Sequence, residues 1–116
     1  SIIYDPVGDC FSEPALRSIG WGGTYLVVGF AAGKIPSLPS NLMLLKGCAV
    51  SGVFIGRFQK EEPVVHAKNL KTLGVLLAEG KINPLISKTV PMKDAVSSIE
   101  DIARRKILGK VVFLND

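Results

Sequence analysis

Three short stretches carry the residues best suited to chemistry: Val7-Gly8, Gly29-Phe30-Ala31 and Phe54-Ile55-Gly56. Each sets a glycine, which lets a backbone approach a bound molecule closely, beside an apolar or aromatic side chain that can wall off a flat ring. That is the chemistry of holding a ligand, not of attacking one. The competing reading makes Phe30 and Phe54 ordinary core residues at strand ends. Groups that attack are scarce. His66 is the single histidine, and its place on an expected surface helix gives it a surface role. Cys10 and Cys48 have neither metal spacing nor a disulfide framework, and Cys48 opens an apolar strand and reads as packing. No Ser/His/Asp set, carboxylate pair or zinc-ligand cluster stands out. Asp5 either bonds what the first loop holds or caps that loop. The glycine-rich GWGG (20–23) lies between a helix and a strand, the reverse of the order that aims backbone N–H groups at phosphate, so it reads as a helix stop and turn.

These residues depend on the elements around them. Residues 1–5 read as a strand entering the Asp5-Pro6-Val7-Gly8 loop. Ser12 is placed to cap a short helix with Glu13 and Pro14 in its first turn, Ala15, Leu16 and Ile19 on its apolar face and Gly20 closing it. Thr24 to Val28 is a continuous apolar strand of the kind buried on both faces of a parallel sheet. The loop 29–41 leads to a helix from Leu42 to Lys46, capped by Asn41 and closed by Gly47. Residues 48–55 form a third strand, and a loop after Gly56 reaches Pro63. From there a long helix runs to about Glu79, with Ala67, Leu70, Leu73 and Leu77 on one packing face. Residues 84–92 are strand-like. A helix from Lys93 to about Lys106 gathers Val96, Ile99, Ile102 and Ala103 on one side, Gly109 stops it, and 110–115 is a last strand. Strands alternating with helices at this spacing predict an α/β fold with a parallel sheet. In such sheets ligands bind at the carboxyl ends of the strands, where all three stretches fall. The parallel candidates amount to half of the roughly six strands of a complete doubly wound sheet.

The chain has 116 residues, enough for one small domain, and 47% of them are hydrophobic, enough for a core. The apolar runs fall short of the roughly 18 residues that span a bilayer, and no signal peptide is visible at the start. Fourteen basic residues against 10 acidic give a net charge of +4. They are scattered, without aromatic interleaving, and read as a solvated surface, not a nucleic-acid footprint. Two cysteines fit a reducing compartment.

Taken in order, "YDPVG…ALRSIGWGGTYLVVGFAAGKIPSLPSNLMLLKG…VSGVFIG" and "INPLISKTVPMKDAVSSIEDIARRKILGKVVF" resemble the medium-chain dehydrogenase/reductase superfamily, and within it the zinc-free quinone oxidoreductase branch that includes zeta-crystallin. The resemblance covers nearly the whole chain. It implies a C-terminal fragment of a protein about three times longer. Residues 1–83 would be the second half of a Rossmann-type NAD(P)-binding domain, and 84–116 the helix-strand segment that returns to a catalytic domain. It further implies that Val7, Gly8, Gly29, Phe30, Ala31, Phe54, Ile55 and Gly56 line the nicotinamide and its ribose, with Asp5 reaching the ribose or capping its loop. The cofactor would be NADPH, with NADH the alternative, and the substrate a quinone or activated double bond. The fingerprint G-x-G-x-x-G that holds the pyrophosphate is absent, so the fragment is expected to be inactive alone. Sibling enoyl-thioester reductases, alcohol dehydrogenases and a non-catalytic dimerising module are the alternatives. The branch also implies a homodimer through 49–55, an exposed sheet edge at 1–5 prone to self-association, no membrane partner and no metal site in this segment. The expected location is the cytoplasm, or the mitochondrion if a targeting segment lies upstream.

Overall fold

A computed structural model describes residues 1–115. Its contacts divide the chain into two compact units, Ser1–Pro63 and the residues from Val64 onward.

The first unit is built on three parallel strands in the order β1 (Ile2–Asp5), β2 (Thr24–Val27), β3 (Ala49–Gly52). The register sets Ile3 beside Tyr25 and Tyr25 beside Val50. Because side chains alternate across a strand, these three share one face. On that face Leu16, Ile19, Tyr25 and Leu42 form the buried core, with Ile3, Val27 and Val50 packed against it. Leu16 and Ile19 belong to or follow α1 (Ser12–Ser18), and Leu42 lies in α2 (Ser40–Lys46). The opposite face carries Ile2 and Tyr4, both exposed. Thus β2 is covered on one side only, not on both as its continuous apolar run predicts; within this unit both α1 and α2 supply the same face.

Helix ends differ from expectation in instructive ways. Ser12 does not cap α1: it lies inside the helix, preceded by a 3-10 turn at Asp9–Phe11, and its hydroxyl is engaged elsewhere. The helix ends without Gly20, through an extended Ile19 (φ −64°, ψ 138°). Asn41 is likewise inside α2, which starts after Pro39 with no side-chain cap. Gly47 does close α2, in the left-handed conformation (φ 53°). The third strand stops at Gly52, and the loop expected after Gly56 is a helix, α3 (Ile55–Glu61), with an Arg57–Glu61 ion pair at 2.6 Å one turn apart.

The second unit opens with α4, assigned as Pro63–Ala78, none of whose residues is buried. Its Leu70, Leu73 and Leu77 are each about half exposed, so the expected packing face is not buried among the described residues. Two further parallel strands, β4 (Ile86–Pro91) and β5 (Lys110–Leu114), form a separate two-stranded sheet, connected through a 3-10 turn and α5 (Ala95–Ala103). This helix ends at Ala103, three residues before the expected Lys106. Arg105 adopts a positive φ just after it, doing there what was expected of Gly109. It is also turned relative to its apolar stripe. Ser98 is 1% exposed whereas Val96 is 71% exposed, and Ile99 and Ile102 lie on the open side with it. The inward side is completed by Asp101, which accepts a 3.3 Å bond from Lys88 of β4. No helix among the described residues is long and apolar enough to cross a membrane.

Candidate functional site

Parallel strands end at the same edge of their sheet, so the segments after β1, β2 and β3 emerge side by side, with that of β2 in the middle. The first two are joined directly. Ala31 N–H donates to Pro6 O (3.1 Å), Ala32 N–H to Val7 O (2.9 Å) and Asp9 N–H to Lys34 O (3.0 Å). Glycines make this closure possible. Gly8 has φ 75° and ψ −153°, a conformation essentially restricted to glycine, and a Cβ there would stand 2.9 Å from the Phe30 ring. At Gly29 a Cβ would stand 3.3 Å from Pro6 O. What these glycines approach within the chain is therefore the neighbouring loop. Closed in this way, the pair of loops presents Val7 and Phe30 at the surface, the phenylalanine 39% exposed.

The third segment is organised differently. Val53 N–H continues the β2–β3 ladder to Val27 O (2.8 Å). Phe54 then precedes α3 in an extended conformation, and Ile55 and Gly56 form that helix's first turn. Phe54 is 75% exposed and leans over Gly56, whose Cβ would meet its ring at 3.2 Å. Gly52, Val53, Phe54, Ile55 and Phe58 line an open, mostly apolar cavity of about 560 Å³ together with Arg57 and Glu61. All eight residues expected at the site lie beyond the carboxyl ends of β1 to β3. Hydrogen bonds bring the first five into one assembly, whereas Phe54, Ile55 and Gly56 belong to a helix start, not a loop.

Beneath the first loop sits a buried carboxylate. Asp5 Oδ1 accepts the N–H groups of Val7 (2.8 Å) and Gly8 (2.9 Å); Oδ2 accepts the Ser12 hydroxyl (2.6 Å) and the Tyr25 phenol. Of the two roles open to Asp5 in the sequence, the geometry shows the cap. Burial by itself would raise the acid's pKa, but the four donors outweigh it and hold the value at about 2, below the ordinary 3.8. Tyr25 shifts the other way: burial and the bond to Asp5 push its phenol above the usual 10. Sequence reasoning missed Ser12 and Tyr25 as partners. One signal was present in principle: Tyr25 pairs with Ile3, and Asp5 lies two residues further along the same face, within reach of a long aromatic side chain.

Among the described residues no group of three or more His, Cys, Asp or Glu is placed to hold a metal. Cys10 is exposed and Cys48 partly buried, both as free thiols.

A family profile described as zinc-binding dehydrogenase matches residues 1–113. The chain is 35% identical over 114 residues to quinone oxidoreductase-like protein 2 of Bos taurus, covering 97% of this chain and 32% of that protein. Against its Mus musculus counterpart it is 36% identical over 106 residues, covering 91% and 30%. It thus spans about a third of the length of the curated relatives it matches. Among solved structures, a mycobacterial protein complexed with NADPH superposes with a TM-score of 0.77 at 24% identity, over 97% of this chain and 34% of that one, a likeness of fold. The chain belongs to the zinc-binding dehydrogenase family, within the medium-chain dehydrogenase/reductase superfamily that nearly its whole sequence resembles.

Proposed function

We propose that this chain forms the nicotinamide side of an NADPH-dependent quinone or enone reductase, with 1–83 as half of a Rossmann domain and 84–116 as a segment returning to a catalytic domain. One observation carries the reading: apolar side chains stand exposed at the carboxyl ends of neighbouring parallel strands, Phe30 after β2 and Phe54 after β3. The relatives named as quinone oxidoreductase-like support the reaction class.

A nicotinamide ring fits this rim. Val7, Phe30, Phe54 and Ile55 would hold its apolar faces and keep water from them, and Gly29-Phe30-Ala31 would bring backbone close to the ribose. The bound cofactor supplies a hydride for an electron-poor double bond or quinone. The residues of this chain bind and orient; none of them is assigned a proton-transfer role. The sequence contains no G-x-G-x-x-G, so its 116 residues alone are expected to hold the cofactor weakly and turn over nothing. Zinc-free chemistry is proposed from the resemblance to the quinone oxidoreductase branch alone, against a family described by its zinc. A homodimer through 49–55 would use β3, which is an unpaired edge of its sheet among the described residues. Cytoplasm, or mitochondrion with upstream targeting, is the proposed location.

The test is NADPH oxidation by the full-length gene product with an ortho-quinone acceptor and a chelator, the 116-residue chain run alongside. Turnover by the long protein alone is the expected result. Activity that appears only on adding zinc, or only with an enoyl thioester, would move the assignment to a sibling branch. Turnover by the short chain would overturn the half-site reading.

A further inference from the structure

From the geometry beneath the first loop we infer that Asp5 is a positioning residue for the cofactor site: its carboxylate never meets the cofactor but holds Val7-Gly8, and through them Phe30, in the arrangement that receives the nicotinamide. This rests on the functional reading above for the identity of the ligand, and on the structure alone for the positioning.

Three observations carry it. First, the carboxylate is buried and its oxygens are already met by four donors, two of them the backbone N–H groups of the very loop expected to line the site. A ribose hydroxyl would have to displace one of these. Second, the loop Asp5 holds cannot relax freely. Gly8 sits in a conformation that only glycine accepts, and Asp9 follows with a positive φ of 56°, unfavourable for a non-glycine residue without an anchor. Third, the constraint is passed on. A Cβ on Gly8 would stand 2.9 Å from the Phe30 ring, and the bonds from Ala31 to Pro6 and from Ala32 to Val7 fasten the two loops together. Moving Val7-Gly8 therefore moves Phe30. The two oxygens divide the work: Oδ1 shapes the loop, while Oδ2, bonded to Ser12 of α1 and Tyr25 of β2, ties the acid into the core.

That division gives the test. In the full-length gene product, Asp5→Ala removes both functions, Asp5→Asn keeps an oxygen able to accept the Val7 and Gly8 N–H groups, and Tyr25→Phe removes only an Oδ2 bond. NADPH affinity by fluorescence titration, KM for NADPH against kcat, and hydrogen exchange of segments 6–9 and 29–34 are measured for each. Asp5→Ala is expected to weaken NADPH at least about tenfold, the scale of losing charge-assisted bonds, with kcat changed less and exchange accelerated in both segments. Asp5→Asn and Tyr25→Phe are expected to stay within about threefold and to keep both segments protected. If Asp5→Ala does not fold, Asp5→Glu, which keeps the charge but displaces the loop by a methylene, is expected to weaken NADPH in its place. Equal losses in Asp5→Asn and Asp5→Ala, with both segments still protected in Asp5→Asn, would mean that the charge acts on the cofactor and not through the loop, and would overturn the inference. An equal loss in Tyr25→Phe would reduce Asp5 to a structural residue. Unchanged exchange in Asp5→Ala or Asp5→Glu would overturn it also. Failure of the unaltered protein to bind NADPH would sink the functional reading instead, while the exchange data still decide the positioning.

Discussion

Replacing Gly8 by alanine puts the loop geometry to its hardest test. Two costs add. The backbone at φ 75° and ψ −153° lies where non-glycine residues pay about 1–3 kcal/mol. The new methyl would stand 2.9 Å from Phe30 Cδ1, 3.2 Å from Lys34 O and 3.3 Å from Phe30 Cα. A ring edge can yield, but a carbonyl already accepting from Asp9 cannot do so without opening the 3.0 Å bond. Overpacking of this kind costs about 1–3 kcal/mol. Together these give roughly 2–6 kcal/mol. Domains hold only ~0.05–0.15 kcal/mol per residue, so in a unit ending at Pro63 this is most of the stability. Urea unfolding followed by far-UV circular dichroism, at fixed protein concentration, measures the change in midpoint and slope. Gly52→Ala is the matched control. Gly52 has no positive φ, and a methyl added there would meet nothing within 4 Å. Its replacement should lie within about 0.5 kcal/mol of the parent or stabilise. A Gly8→Ala protein as stable as the parent, or a Gly52→Ala protein equally damaged, would refute the reasoning.

Acid should expose the Asp5 network. Because the folded pKa of about 2 lies below the ordinary 3.8, its contribution is complete above pH 4 and is lost as pH falls through 3.8 towards 2. This amounts to about 2 kcal/mol at most, which a pH series of urea midpoints would show and Asp5→Asn would flatten. Tyr25 has the opposite sign: its folded pKa is raised, so its stabilisation is lost as pH rises beyond 10, and Tyr25→Phe should remove that alkaline slope. Gly74, inside α4 with nothing within 4 Å and no positive φ, should accept alanine with a gain of about 1 kcal/mol, read as a higher midpoint. The buried Ser98 hydroxyl finds no hydrogen-bond partner among the described residues, so Ser98→Ala should be neutral or stabilising by about 1 kcal/mol; a loss beyond that size would show that the hydroxyl has a partner.

The strands were legible because continuous apolar runs opened by Gly, as at Thr24–Val27 and Lys110–Leu114, have few other outcomes. Gly47 was legible because a helix must end somewhere and glycine takes a positive φ readily. The place of the eight candidate residues at the strand ends followed from the same pattern. What escaped was decided by partners distant in sequence. Ser12 looks like a cap until the strand that brings Asp5 beside it is in place. The helix at Ile55–Glu61 was hidden because the apolar run 48–55 argued for strand up to the residue where the helix starts, and it gains from an Arg57–Glu61 pair that periodicity alone does not weigh. The stripe Val96, Ile99, Ile102 was found correctly as a stripe, but a stripe does not say which way it faces. In this chain α5 turns its small side, Ala95 and Ser98, inward and leaves the large one open.

The sheet order carries a consequence for growth. With β2 in the centre, β1 and β3 each present an unpaired edge among the described residues. In the vocabulary of polymerisation the unit is bifunctional. Joining two copies through β3 uses one valence of each and leaves both β1 edges outward, so a pair has as many open ends as a single chain, and pairing by itself supplies no termination step. Termination has to come from something that occupies β1, whose Ile2 and Tyr4 stand exposed beside the open edge. If copies do join through both edges, a strand supplied at β1 would act as a chain stopper, ending the distribution of sizes at two, whereas without it the mean size would climb with concentration.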